Sequence, residues 1–194
     1  LMHFINDDEI INIDPLLKMA ISHYQFEAIH PFTDGNGRTG RILNILLLMN
    51  KGLLKFPILY LSKYIINNKD SYYHHLNGVS SRQSWEEWLK YMLTAVKETS
   101  DFTIFKIEEI IRQFDDTRRH IEKHLPKFDY SVIEAIFTQP YIKAVHIVGD
   151  KIKSRNTAAK YLNQLCQLQV LELKHIGSEN VYINRDLVRI LGSD

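Results

Sequence analysis

The sequence has little that would cross-link the chain, insert it into a membrane or draw it to a polyanion. It contains a single cysteine, Cys166, which excludes a disulfide within the chain and leads us to expect a reducing, cytoplasmic location. Its longest strongly apolar run, residues 45–49, is far too short to span a bilayer. The formal net charge of +1 gives no overall attraction to nucleic acid or to a membrane surface. What remains is the composition of an ordinary globular protein, 194 residues long, enough for one large or two small domains.

Apolar spacing in the first part of the chain predicts two helices separated by a loop. The first helix is expected over residues 15–29, because Asp14 is a good N-cap and a proline follows it. Pro31 disfavours helical geometry at the residue before it, so a loop is expected over residues 30–36. The second helix is then expected over residues 37–50.

A break at residues 124–128 separates two regions of different pattern. Residues 59–124 have the spacing of further helices, whereas the region after the break predicts three helices and then a β-hairpin, the order of a winged helix. We therefore expect a mainly α protein with a helical domain over residues 1–125 and a small α+β domain over residues 126–194. The elements predicted in the second domain are helices at 132–137, 142–148 and 154–168, strands at 170–174 and 181–183, and a turn at 177–180.

Residues 30–41 bring together side chains suited to acid–base and phosphate chemistry. The stretch holds a histidine, a carboxylate, an asparagine, three glycines and two arginines within twelve residues. A neutral imidazole such as that of His30 can remove a proton from a hydroxyl group near pH 7. Asp34 offers the hard oxygen ligand that Mg²⁺ prefers. Considered singly, the histidine would more often be a core residue and the aspartate a turn former.

Glycines and arginines in the same stretch predict an anion site. The segment 35–37, Gly-Asn-Gly, lets the backbone approach a ligand, and the N–H groups at the start of the following helix attract negative charge. Arg38 and Arg41 are three residues apart, so they share a helix face and can both reach phosphates. Two arginines on a helix are otherwise a solvated face. Together these features predict a site for a nucleotide triphosphate.

The glycine spacing Gly35-x-Gly37-x-x-Gly40 also matches the dinucleotide-binding fingerprint of Rossmann folds. That fingerprint requires a preceding strand and an acidic residue about 20 positions later. Here a helix is expected before the glycines, and no acidic residue occurs between Asp34 and Asp70. A Rossmann site is therefore excluded.

The stretch resembles the motif of the Fic family of nucleotidyl transferases, His-x-Phe-x-(Asp/Glu)-Gly-Asn-Gly-Arg-x-x-Arg. The residues at its eight fixed positions are His30, Phe32, Asp34, Gly35, Asn36, Gly37, Arg38 and Arg41. Many bacterial members carry a C-terminal winged helix, so the resemblance covers most of the chain. It implies a Fic-type helical bundle followed by a winged-helix domain, and an enzyme that transfers AMP from ATP to Ser, Thr or Tyr hydroxyls of target proteins with release of pyrophosphate.

The resemblance also implies roles for single residues. His30 would be the catalytic base, Phe32 would anchor the loop in the core, and Asp34 would hold Mg²⁺ between the α- and β-phosphates. Gly35, Asn36 and Gly37 would form the anion hole, and the two arginines would bind the outer phosphates. Two tyrosines resemble an aromatic pair that borders the nucleotide in some members, although they could equally be core aromatics. The expected nucleotide-binding residues are Asp34, Gly35, Asn36, Gly37, Arg38, Thr39, Gly40, Arg41, Tyr72 and Tyr73.

The resemblance bears on the reaction and its control. Family members that phosphorylate tend to have lysine where this chain has Gly37, so the glycine favours AMP transfer. Nucleotides other than ATP stay open as substrates.

Members usually have a flap hairpin before the motif and an inhibitory helix with the pattern (Ser/Thr)-x-x-x-Glu-(Gly/Asn). Only 29 residues precede His30, and the candidate at residues 94–98 is followed by Thr99 and fails the pattern. Because the chain begins Leu1-Met2-His3, we expect that the N-terminal part of this domain is missing from it.

Partners and other sites give weaker signals. A DNA-binding regulator whose pocket senses a nucleotide is the alternative function, and self-modification and homo-oligomers are further possibilities. Residues 126–194 contain nine basic and seven acidic residues, which is a thin positive charge for DNA binding even though Lys153, Arg155 and Lys160 lie near the third helix. His120 and His124 have the spacing of zinc ligands but not the metalloprotease order, and the lone cysteine reads as a core residue.

Overall fold

The computed structural model describes residues 1–7 and 12–193, and over these residues the protein is mainly helical. The α-helices are α1 (Met2–Asn6), α2 (Pro15–Ile29), α3 (Asn36–Asn50), α4 (Leu61–Asn67), α5 (Lys69–Arg82), α6 (Trp85–His124), α7 (Tyr130–Thr138), α8 (Arg155–Gln167) and α9 (Arg185–Gly192). The strands are β1 (Tyr141–Ile142), β2 (Glu172–Ile176) and β3 (Glu179–Ile183), and a short 3-10 helix covers Ala144–Ile147. The prediction of a mainly α protein is confirmed. Within the described ranges, no helix is both long enough and apolar enough to cross a membrane.

The chain divides into two compact units, Leu1–Ile104 and the residues from Phe105 onward. The division falls inside α6, whereas the sequence places the domain boundary after residue 125, one residue beyond the end of that helix. Each unit has its own apolar core. Residues of the first core include Met19, Ala20, Leu48, Trp88 and Met92. Residues of the second include Ile121, Val132, Ile136, Leu162 and Leu165.

Helices α2 and α3 pack against each other and set the frame of the first unit. The Asp14 carboxylate caps α2 by accepting a hydrogen bond from the Leu16 N–H at 2.8 Å, as the sequence predicts. Gly40 on α3 faces two side chains of α2, since a Cβ added there would be 2.7 Å from Glu27 Oε1 and 3.2 Å from the ring of His23. The indole of Trp88, on α6, donates to the Ala20 carbonyl oxygen at 2.9 Å and ties α6 to α2. A glycine at residue 40 is therefore required by close packing.

The second unit has the element order of a winged helix, as the sequence predicts. Three helical segments precede an antiparallel hairpin, and the sheet has the strand order β1-β3-β2. The hairpin turn has only two residues, Gly177 and Ser178, so β3 is longer than the predicted strand and β2 lies two residues closer to the turn than predicted. Gly177 has φ +61, a conformation that suits the first position of a tight hairpin turn and favours glycine.

The prediction of a helix over residues 142–148 is correct only for Ala144–Ile147, which form the 3-10 helix. Tyr141 and Ile142 instead form β1, which pairs with Ile183 and Tyr182 of β3, and a 3-10 helix follows. A short apolar run cannot distinguish a strand from a helix by its spacing. Pairing with a strand about 40 residues away in the sequence decided the outcome here.

Candidate functional site

Most of the predicted site residues line one cavity of about 500 Å³ in the first unit. The end of α2, the loop that follows it and the start of α3 form one side, and α4 and α5 form the other. A volume of several hundred Å³ is typical of small-ligand pockets. The lining residues are Glu27, His30, Thr33, Asp34, Gly35, Asn36, Gly37, Arg38, Arg41, Ile65, Ile66, Lys69, Tyr72, Tyr73, Leu76 and Asn77.

His30 ends α2 in the left-handed conformation, with φ 49 and ψ 57. Its N–H still donates to the Phe26 carbonyl oxygen at 3.0 Å, so the backbone is fixed to the last turn of the helix. The side chain is exposed and lines the cavity. A histidine in this position can exchange a proton with a ligand that enters the cavity.

Asn36 holds the loop in place. Its side-chain Oδ1 accepts from the Phe32 N–H at 2.9 Å, and its Nδ2 donates to the Phe32 carbonyl oxygen at 2.6 Å. The residue is only 3% exposed, so these two bonds are partly shielded from water. The side-chain amide of Asn36 therefore holds the loop. The backbone N–H group of the same residue remains available to bind an anion.

The start of α3 has the features of an anion site. Gly35 is the N-cap residue with φ +84, and among the described residues no side chain caps the helix there. The first N–H groups of an α-helix have no acceptor within the helix and lie at its positive end. Asn36, Gly37 and Arg38 supply these groups and also line the cavity. The cavity thus contains hydrogen-bond donors that suit a phosphate group.

Two arginines add positive charge around this helix start. Arg38 forms an exposed ion pair with Asp34, with Nη2 and Oδ2 3.1 Å apart. Arg41 donates from Nε to the Ser62 hydroxyl oxygen at 2.9 Å, which ties it to α4. A Cβ added at Gly37 would lie 3.1 Å from Arg41 Nη1, so the guanidinium lies directly beside this glycine.

Asp34 is the carboxylate available for a metal ion beside the anion site. Its Oδ1 accepts from the Gly35 N–H at 2.7 Å, and its side chain is exposed. Within residues 1–7 and 12–193, no group of three or more His, Cys, Asp and Glu side chains could enclose a metal. One carboxylate next to a phosphate site nevertheless fits Mg²⁺, which keeps waters and commonly binds through one or two carboxylates and the phosphates of its ligand.

A buried polar pair lies beneath the cavity. Asn44 Nδ2 lies 3.1 Å from Nδ1 of His23, and Nε2 of the same ring lies 3.0 Å from the Tyr72 hydroxyl oxygen, so both ring nitrogens have hydrogen-bond partners. The ring of His23 stacks on that of Trp88, with 6.0 Å between centroids. Burial lowers the pKa of His23 to about 4. This histidine is neutral at physiological pH and holds the Tyr72 hydroxyl by a hydrogen bond.

The two tyrosines have different environments although both line the cavity. Tyr72 is 5% exposed and burial raises the pKa of its hydroxyl, whereas Tyr73 is 49% exposed. Their rings meet edge to face, with 5.2 Å between centroids. Tyr72 is therefore a core aromatic that also forms part of the cavity wall, and Tyr73 is the more accessible ring, with Lys69 Nζ 6.0 Å from its centroid.

Three motif residues are placed differently from the expectation. Phe32 is 51% exposed, so the expectation that it anchors the loop in the core is wrong; the loop runs over the surface, and the ring only leans on Phe26. Within the described part of the chain, Thr39 and Gly40 do not line the cavity. The Thr39 hydroxyl donates to the Gly35 carbonyl oxygen at 3.0 Å, and Gly40 faces α2. Their predicted part in phosphate binding stays a prediction.

Glu27 is the residue that the sequence analysis missed. It lines the cavity together with His30, and its Oε1 is buried without a hydrogen-bond partner among the described residues. Burial raises the pKa of this carboxyl, while the nearby charges of His30 and Arg41 oppose the rise. Its spacing of three residues from the predicted base, on the same helix face, was a usable signal.

The candidate zinc ligands, the cysteine and the basic residues outside the motif all lie in the second unit, where the structure shows their contacts. His124 donates from Nδ1 to the His120 carbonyl oxygen at 2.8 Å, and His120 Nε2 is 3.3 Å from the Leu168 carbonyl oxygen. One ring nitrogen of each histidine is thus engaged with the backbone. Cys166 packs against the second core, and burial raises the pKa of its thiol, as expected for a core residue. The cations Lys153, Arg155 and Lys160 are exposed before and along α8.

Comparison with known protein families gives two matches on different parts of the chain. A model described as the Fic/DOC family matches residues 1–48. A model described as the C-terminal domain of SoFic-like protein adenylyltransferases matches residues 113–187. The first match includes the whole motif, and the second lies in the unit with the winged-helix order.

Several individual proteins are similar over part of their length. Protein adenylyltransferase fic-1 of Caenorhabditis elegans is 39% identical over 77 residues, which is 40% of this chain and 14% of that protein. Protein adenylyltransferase Fic of Drosophila mojavensis is 28% identical over 111 residues, or 57% of this chain and 21% of that protein. A crystal structure of a Fic family protein from Desulfovibrio desulfuricans G20 aligns with a TM-score of 0.49 at 22% identity and covers 94% of this chain and 52% of that chain. The chain thus matches about a fifth or less of the length of these curated relatives.

Proposed function

We propose that this chain is a protein adenylyltransferase of the Fic/DOC family, which transfers AMP from ATP to a hydroxyl group of a protein. One observation carries the proposal. A candidate base, a carboxylate, the N-terminus of a helix and two arginines all line a single cavity. A site that only bound a nucleotide would need the donors and the arginines, but it would not need an exposed histidine beside them.

In the proposed reaction, His30 takes the proton of a Ser, Thr or Tyr hydroxyl as its oxygen attacks the α-phosphorus of ATP. The new oxygen–phosphorus bond forms as the bond to the β-phosphate oxygen breaks, and pyrophosphate leaves. The first N–H groups of α3 bind the negative charge of the phosphates. Positioning and charge stabilisation of this kind account for most of the catalysis in phosphoryl-type transfers.

Arg38, Arg41 and Asp34 complete the proposed nucleotide site. The arginines bind the outer phosphates, and they hold the triphosphate so that the α-phosphorus faces His30. Asp34 holds Mg²⁺, which neutralises charge on the phosphates when it is bound. Tyr73 offers its exposed ring as a wall for the nucleotide.

Gly37 supports AMP transfer over phosphorylation. A Cβ at this position would already lie 3.1 Å from Arg41 Nη1, which is tighter than ordinary contact. A longer side chain there would displace the guanidinium and fill the space beside the N–H groups. Glycine leaves this space open for phosphates in the pose that exposes the α-phosphorus.

The experiment is to incubate the protein with a candidate target, Mg²⁺ and a mixture of nucleotides, and to measure the intact masses of all proteins present. The expected result is the mass of one AMP added to the target or to the protein itself. Parallel reactions with ATP labelled at the α- or the γ-phosphate distinguish the two chemistries. Label retained on protein only from the γ-position would identify a kinase, and no protein-bound label from either would contradict the proposal.

A further inference from the structure

Glu27 presents an unbonded carboxylate oxygen beside the candidate nucleotide cavity. Its Oε1 is buried and has no hydrogen-bond partner among the described residues, although the side chain lines the same cavity as Arg41. A buried acceptor without a donor is costly, and more so when it carries charge. Such an oxygen at the edge of an anion site is therefore a ready acceptor for a donor group on the cavity wall.

Two glycines of α3 make room for this carboxylate. A Cβ on Gly40 would lie 2.7 Å from Glu27 Oε1, a distance that real side chains do not tolerate. A Cβ on Gly37 would lie 4.0 Å from the same oxygen and 3.1 Å from Arg41 Nη1. The Glu27 carboxylate oxygen and the Arg41 guanidinium thus both lie near Gly37 of α3.

Arg41 is the arginine whose guanidinium lies near Glu27, beside Gly37. Its Nε is held by Ser62, which leaves the two Nη groups, and Nη1 is the atom beside Gly37. The other groups that act on the charge of Glu27 are His30 at the end of α2 and Tyr72 on α5. Of these, only the guanidinium has enough donors to bind a carboxylate and a phosphate at the same time.

We propose that Glu27 is a positioning residue for Arg41: its Oε1 accepts a hydrogen bond from the Arg41 guanidinium when a nucleotide triphosphate fills the cavity. The inference rests on the proposed function in that the ligand is taken to be a triphosphate. Entering phosphates bring negative charge close to Oε1, which is already shielded from solvent. The Arg41 guanidinium lies between the Glu27 carboxylate and the phosphates and offsets the repulsion between these two anions. The carboxylate in turn holds the guanidinium where it binds the outer phosphates.

A double-mutant cycle on ATP binding tests this proposal. The affinity for ATP with Mg²⁺ would be measured by calorimetry for the wild type, Glu27→Gln, Arg41→Ala and the double variant. Glutamine keeps the shape and one acceptor oxygen but removes the charge. We expect Glu27→Gln to weaken binding about tenfold, in line with a hydrogen bond to a charged group, and to weaken it no further when Arg41 is already alanine. Unchanged affinity in Glu27→Gln, or losses that simply add, would overturn the proposal.

Steady-state kinetics give a second readout. A positioning role toward a phosphate-binding arginine raises the KM for ATP more than it lowers kcat. If Glu27→Gln instead lowered kcat and moved the pH–rate profile with KM unchanged, Glu27 would act on His30 and the proposal would be wrong. A wild-type protein that binds no ATP would refute the proposed function and this inference together, whereas tight binding without coupling would refute the inference alone.

Glycine variants provide a matched pair. Gly40→Ala should displace the Glu27 carboxylate and weaken ATP binding about as much as Glu27→Gln does, about tenfold. Gly149→Ala is the control, since a Cβ there would meet no heavy atom within 4 Å. Circular dichroism and thermal unfolding identify any Gly40→Ala protein that is misfolded. A folded Gly40→Ala protein with full affinity would contradict the placement of Glu27 argued above.

Discussion

At the scale of residues, two histidines, one on α2 and one at its end, show how burial gives side chains of one type different roles. His23 is enclosed between Asn44, Tyr72 and Trp88, and burial lowers its pKa to about 4, which keeps it neutral. His30, seven residues later, is exposed where the helix ends and lines the cavity. Only the second can meet a substrate hydroxyl, so the residue that ends the helix is the one that performs proton transfer in the proposed reaction.

Replacement of His30 by alanine should nearly abolish AMP transfer while ATP binding is retained. Removal of a general base costs about 10²–10⁴-fold in rate. The measurement is the initial rate of label transfer from ATP labelled at the α-phosphate, together with the ATP affinity. His74→Ala is a matched control, because His74 is an exposed histidine of the same unit. Wild-type rates in His30→Ala would show that the base is elsewhere.

The low pKa of His23 makes the stability of the first unit dependent on pH. A histidine has a pKa near 6.5 when unfolded and this one has about 4 when folded, so the unfolded chain binds the proton more readily between these values. Its contribution is complete above about pH 6.5 and is lost as the pH falls toward 4. The full loss is about 3 kcal/mol.

Chemical denaturation at several pH values checks this expectation. The free energy of unfolding of the wild type should fall between pH 6.5 and pH 4 more steeply than that of His23→Gln, which cannot take up the proton. Carboxylates contribute equally to both proteins, so the difference isolates His23. Parallel pH dependences in the two proteins would contradict the burial of a neutral histidine at this position.

At the scale of elements, the loop between α2 and α3 depends on one amide. Asn36→Ala removes both hydrogen bonds to the Phe32 backbone and leaves that N–H and carbonyl without these partners. We expect a loss of about 1–3 kcal/mol of stability and faster hydrogen exchange in residues 31–35. Asn50→Ala, at the exposed end of the same helix, should change neither. Unaltered exchange in the loop of Asn36→Ala would show that other contacts hold it.

The helices and the motif could be predicted from the sequence where their position depends on local chemistry. Asp14 and Pro31 set the ends of α2, and α3 begins one residue before its predicted start, because capping and backbone conformation act locally. Packing between elements was not readable in the same way. The exposure of Phe32 and the place of Glu27 against Gly40 depend on how two helices meet, and β1 depends on a partner strand far along the chain.

At the scale of the whole molecule, two separate cores predict separable stability. Leu162 is fully buried in the second core, so Leu162→Ala should cost the second unit about 2–5 kcal/mol. The affinity of the first unit for ATP should stay at the wild-type value, as measured by calorimetry at a temperature where both units are folded. Leu48→Ala, in the first core, is the reciprocal variant and should lower the stability of the nucleotide-binding unit. Equal loss of ATP affinity in both variants would show that the two cores unfold together.

The contact of Trp88 with His23 and Ala20 gives the protein a built-in optical reporter. The chain has only two tryptophans, Trp85 and Trp88, and both belong to the core of the first unit. Intrinsic tryptophan emission therefore follows that unit alone, whereas far-ultraviolet circular dichroism follows the helices of the whole chain. Comparison of the two signals during one denaturation would distinguish the units without any added dye, and protonation of His23 against the stacked indole should quench the emission before unfolding begins.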